Sequence, residues 1–174
     1  MATAVHRLTL EVRRSINPPE PEYQTGDWII DPDIPDAPKR HWVSPISGGS
    51  IPLKPQAERD EADTEYLAAV KDGKFHELEQ EFTDVLESIY PTGRQIWLTR
   101  AADEAGSNGL NDRLAYINSL WNWVKSGAGV LFAAQDLMES KGTEEEVEAV
   151  SLDLTEWLGT DPKVSIRAAE GIVT

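Results

Sequence analysis

The sequence predicts a mainly α protein: a helical bundle of about five helices, preceded by a short β-strand or hairpin and a proline-rich extended N-terminal arm. Three observations predict it. Prolines crowd positions 18, 19, 21, 32, 35 and 38, where fixed φ and missing donors favour an extended, polyproline-like path. Helical periodicity occupies nearly everything after Pro55. Hydrophobic residues make up 40% of the chain and include six Trp, enough to build a core rather than leave the chain disordered. The expected organisation is an arm over residues 1–54 and an acidic helical domain over residues 55–174.

The elements follow in order. In "VHRLTLEVRR", residues 5–14, Leu8, Leu10 and Val12 alternate with Arg7, Thr9, Glu11 and Arg13, the pattern of a half-buried strand. The proline-rich segment allows one short strand at "DWII". "RHWVS" and "SIPLK" then flank Gly48 and Gly49, residues suited to the positive φ of a tight hairpin turn, and Pro52 keeps the second strand short or at an edge.

Beyond Pro55, Ala57, Ala62, Tyr66, Ala69 and Val70 mark a first helix. "GKFHELEQEFTDVLESIY" marks a second, with Phe75, Leu78, Phe82, Val85, Leu86 and Ile89 along one stripe, broken near Pro91. "RQIWLTRAADEAG" is a third, stopped by "GSNG". The longest segment, "LNDRLAYINSLWNWVKSGAGVLFAAQDLMES", is apolar on more than one face and belongs at the centre of a bundle or interface. Its Gly127 and Gly129 each cost about 1 kcal/mol against Ala and point to close helix approach or a bend. "TEEEVEAVSLDLTEWLG" opens with the capping box Thr143–Glu146 and reads as one helix ending at Gly159. Asp161 followed by Pro162 signals a final helix start.

Charge and motifs exclude several functions. Net charge is −15, with residues 1–54 near neutral (seven acids, six bases) and the remainder carrying 24 acids against ten bases. Such a surface repels phosphate backbones, so no nucleic-acid partner is expected. The absence of cysteine removes disulfides, thiolate chemistry and cysteine-held zinc. The opening "MATAVHRLTLEVRRS" lacks the order of a secretory signal, and no run of about 18 apolar residues forms a membrane span.

Sites for chemistry are equally thin. "HELEQ" has Gln80 where a zinc helix needs a second histidine, and His76 reads as a helix-surface residue. "DPDIPDA" has Pro35 at the fifth position of a calcium loop and no glycine at the sixth. "GAGVLF" lacks the third glycine of a dinucleotide loop, and no G-x-S-x-G elbow exists. No enzyme, cofactor or metal is expected.

One resemblance adds to this reading. Pro35, Pro38, His41, Trp42, Gly48, Gly49, Ile51, Leu53, Gln56, Ala57, Glu58, Arg59 and Asp63 follow a pattern similar to a segment of tailed-bacteriophage virion proteins, especially tail-fibre and tail-associated chains. There a proline-rich lead meets an aromatic pair ending in Trp, then a short hairpin, then a charged helix. The helix "YINSLWNWV" also resembles helices near the ends of such proteins. Pro52 and Pro55 depart from the pattern, and no repetitive fibre shaft is present.

The resemblance implies a non-enzymatic virion structural subunit of tail, baseplate, neck or capsid. Such a subunit is made in the host cytoplasm, is homo-oligomeric, and contacts other virion proteins rather than membrane. In that setting Leu8, Leu10 and Val12 would add a strand to a neighbour's sheet, and Trp28 and Trp42 would be partner anchors. The alternatives are an assembly chaperone masking a partner, or a small carboxylate- or metal-dependent enzyme.

Overall fold

The computed structural model describes residues 2–109 and 111–161. It is mainly helical, with a short three-stranded sheet ahead of the helices. The chain divides into two compact units, one ending at Tyr66 and the other starting at Leu67.

The N-terminal unit is built on β1 (Ala2–His6), β2 (Val12–Ile16) and β3 (Trp28–Ile30). The sheet order is β2-β1-β3, with β1 antiparallel to both neighbours. The strand expected over residues 5–14 is therefore a hairpin. Its turn carries no Gly, Asn or Pro; instead the His6 ring accepts hydrogen bonds from the backbone N–H of Leu8 (3.3 Å) and Thr9 (3.2 Å). Leu10 takes a left-handed φ of 57°, a conformation uncommon outside glycine.

The proline-rich segment has the short strand expected at "DWII" and two single-turn 3-10 helices, Pro21–Gln24 and Lys39–His41. Through β3 it joins the sheet alongside β1. Val5, Ile29, Trp42, Ile46 and Ile51 form a small buried core, with Leu10 and Val12 packed against it. The expected Gly48–Gly49 hairpin reduces to one antiparallel bridge, Trp42 to Leu53, and neither glycine has positive φ. Arg7 organises that loop: its guanidinium donates to the carbonyls of Gly26 (2.9 Å), Ile46 (3.1 Å) and Gly48 (2.6 Å). Those bonds tie together three segments far apart in sequence.

Helix α1 (Gln56–Ile89) runs through both expected helices without a break. Gly73 costs about 1 kcal/mol there. Burial of Leu78 and Phe82 on the following turns outweighs it, at roughly 1.5–3 kcal/mol for each side chain. Tyr90 and Pro91 end α1, and α2 (Thr92–Ser107) follows at once. The corner is held by the Glu87 carboxylate, which accepts from the Thr92 N–H at 2.9 Å and from the Thr92 hydroxyl. Gly109, at φ 68°, lies just past the end of α2, as "GSNG" implied.

Helix α3 (Asn111–Glu139) packs against α2, against α4 (Glu144–Glu148) and against α5 (Thr155–Gly159). Its Ile117, Leu120, Trp123, Leu131, Ala134 and Met138 are buried, which accounts for apolar residues on more than one face. The Thr143–Glu146 cap forms as expected, with Thr143 Oγ1 accepting from the Glu146 N–H at 3.3 Å. The single helix expected over 143–159 is instead two short ones. Asp153 accepts from the Thr155 N–H at 3.1 Å, a local bond that competes with helix continuation. The helix expected beyond Asp161 lies outside the described residues.

Helix α5 is locked to α3 by a pair of indoles. Trp123 and Trp157 stack at 4.3 Å with their planes 14° apart. Each donates its indole N–H to the other's backbone carbonyl, at 2.9 and 2.8 Å. Gly127 lies one turn beyond Trp123 on the same face, and a Cβ there would sit 2.4 Å from the Trp157 ring. The close approach anticipated for Gly127 is thus real, whereas a Cβ on Gly129 meets nothing within 4 Å. The two glycines predict opposite outcomes in denaturant titrations. G127A should destabilise by about 1–3 kcal/mol, the ordinary cost of overpacking. G129A should stabilise by up to about 1 kcal/mol through helix propensity.

Candidate functional site

The N-terminal unit carries a groove of about 760 Å³. One wall comes from β2, where the two-residue repeat of a strand places Val12 and Arg14 on the same face. The other comes from Ile34, Pro35, Asp36, Ala37, Pro38 and Lys39, with Trp42 below. Two prolines stiffen that wall by fixing φ. The Trp42 indole N–H donates to the Ala37 carbonyl at 3.0 Å, which seats the wall on the core.

The groove lining combines the apolar Val12, Ile34, Pro35, Ala37, Pro38 and Trp42 with two cations, Arg14 and Lys39, and one acid, Asp36. Arg13, on the opposite face of β2, bonds Glu11 at 2.8 Å and Glu22 at 3.2 Å and lies 4.8 Å from the Trp28 ring centroid. Its hydrogen bond holds the Glu11 carboxyl below the usual range, with smaller, more distant help from charges that include Lys39. Arg14 and Lys39 are both exposed, and neither makes an ion pair among the described residues.

A second cluster fixes the Lys39–His41 turn from behind. Arg40 Nε donates to Asp63 Oδ1 at 2.5 Å, and His41 Nε2 lies 2.7 Å from the same oxygen. A carboxylate only accepts, so the imidazole is the donor. The Arg40 guanidinium also lies 4.2 Å from the Tyr66 ring centroid. Bonding to Arg40 first, and then to His41, holds the Asp63 carboxyl below its ordinary value. His41 is therefore tied to α1.

The five residues nominated from sequence are dispersed. Val12 and Trp42 meet in the groove, but Trp42 is only 3% exposed and belongs to this unit's own core. Trp28 is half-buried between His6, Tyr23 and Arg13. Leu10 packs against the core. Leu8 stands clear, 63% exposed at the β1–β2 turn. The single strand imagined from Leu8 to Val12 does not form, because Leu8 and Leu10 lie in the turn and Val12 already pairs with Val5.

Sequence reasoning missed Arg14, Lys39 and Ile34, whose only signal was proximity to prolines and to an alternating run. His76 is exposed on α1 and bonds the Asp72 carbonyl of its own helix, an interaction that raises its pKa. Among the described residues no group of three His, Asp or Glu is placed to hold a metal, and no helix is long and apolar enough to cross a membrane. No protein-family model, curated protein or solved structure matches the chain.

The Asp63 cluster carries a pH signature. A carboxyl whose folded pKa is depressed contributes stability above the unfolded value of about 3.9, and loses it as pH falls through the lower folded value. D63N should therefore melt lower than the parent chain at neutral pH. The gap should narrow as pH falls from the ordinary carboxylate range through the depressed folded value. Calorimetric melts across that range check it; a gap that persists unchanged in acid would show that the Asp63 charge has no part.

Proposed function

We propose that the chain is a non-enzymatic structural subunit of a tailed-bacteriophage virion, in the tail, baseplate, neck or capsid, and that it acts through contacts with other virion proteins and with its own copies. The observation that carries the contact role is the β1–β2 tip. Leu8 exposes 63% of its surface on a backbone that is already fixed: its N–H donates to His6 Nδ1, and its carbonyl accepts from the Ser44 hydroxyl at 2.6 Å. An apolar side chain held on a rigid tip loses little entropy when covered, which favours a contact residue. The virion assignment is supported by the resemblance carried by residues 35–63, whose Trp42 and Asp63 both hold the unit together.

Two measurements test this reading. Light scattering of the full chain should report a homo-oligomer, with the assembled fraction reduced in L8E. A monomer at every concentration, indifferent to L8E, overturns the oligomeric contact. Mass spectrometry of purified phage particles that encode the chain should detect it as a component. Absence from finished particles, with presence in assembling lysates, overturns the structural role and assigns the chain to an assembly chaperone, a reading that its acidity favours.

A further inference from the structure

We infer that the groove between β2 and residues 34–39 is a docking site for an extended, acidic segment of a partner protein. The site goes beyond the virion assignment and stands on its own chemistry. Its walls are preformed: β2 is hydrogen-bonded to β1, Pro35 and Pro38 stiffen the facing segment, and the Trp42–Ala37 bond fixes the distance between core and rim. Its volume of about 760 Å³ suits a few residues of peptide.

The occupant is extended because the site borders an edge strand. β2 has only β1 as a partner in the sheet, so its far side offers backbone groups to an added strand. A segment laid there projects alternate side chains toward Val12, Ile34 and Pro38, and the intervening ones toward the rim.

The occupant is acidic because of how this unit distributes its cations. Arg7 is consumed by carbonyls, Arg13 by Glu11 and Glu22, and Arg40 by Asp63. The groove lining itself carries two cations, Arg14 and Lys39, against one acid, Asp36, and neither cation makes an ion pair among the described residues, on a chain of net charge −15. Cations set among apolar side chains are complementary to carboxylates flanking apolar side chains. A nucleic acid is a poorer match, since two cations neutralise few phosphates and the remaining surface repels them.

The test uses the full chain and fluorescein-labelled synthetic peptides, read by anisotropy. One peptide alternates Glu with Val between flanking prolines; its counterpart carries Lys for Glu. The expected result is saturable binding of the Glu peptide, weakened by about 300 mM salt as the rim charges are screened. The Lys peptide and oligo-dT should not bind. R14E/K39E should weaken binding at least about tenfold, and I34D, which puts an acid on the apolar wall, should do the same. L8E, outside the groove, should leave it unchanged. Arg14, Lys39 and Ile34 are exposed, so matched circular dichroism spectra will report an intact fold. No binding of the Glu peptide, equal binding of the Lys peptide, preference for oligo-dT, or indifference to R14E/K39E each overturns the site. Failure here leaves particle composition and the Leu8 contact standing, so the two readings fall separately.

Discussion

The helical unit depends on one interaction, the reciprocal lock of Trp123 and Trp157 over Gly127. A buried indole N–H without a partner costs about 1–3 kcal/mol, and here each indole relieves the other's cost by using the other residue's carbonyl. Both bonds are made in the stacked geometry, and a Cβ at position 127 would clash with the Trp157 ring that forms it. Phe82 from α1 approaches Trp157 at 5.5 Å, and Tyr90, at the end of α1, approaches Trp123 at 5.7 Å. Three parts of this unit therefore converge on one aromatic pair. The five-residue helices α4 and α5 are too short to be stable alone, and tertiary packing of this kind is what sustains them.

The N-terminal unit solves a different problem. Its buried core is small, so polar bonds between distant segments supply much of the definition. Arg7 satisfies three carbonyls from two loops, His6 caps the hairpin turn, and Asp63 gathers Arg40 and His41. Each of these charged or aromatic residues spends its hydrogen-bonding capacity internally. Facing outward are an apolar tip at Leu8 and a groove in which Arg14 and Lys39 outnumber the single acid Asp36. Those leftovers are the basis for the proposal that the protein works by contact.

Much of the fold was legible because its signals are local. The Thr143–Glu146 cap, the break at Pro91, the stop at "GSNG" and the close approach at Gly127 all follow from the properties of one or a few neighbouring residues. The misread elements share the opposite cause. Leu8, Leu10 and Val12 alternate as a strand would, yet a histidine side chain and a left-handed leucine bend the chain where no turn residue occurs. Gly73 looked like a helix boundary, but the stripe beyond it carries α1 through. The groove was invisible for the same reason: Arg14 and Lys39 are 25 positions apart, and nothing in either neighbourhood points to the other.

By itself, the sequence determined the class of the protein, the position of most helices, the acidic character of the helical part and the absence of cysteine chemistry. These depend on composition and periodicity, which any window of the chain displays. Only the tertiary structure decided which aromatic residues are core and which polar groups are already satisfied. Trp42 and Trp28 looked alike as interface anchors in sequence; folding buried the first and wedged the second among His6, Tyr23 and Arg13. Burial and pairing are properties of segments brought together across long separations, and no local pattern encodes which partner will arrive.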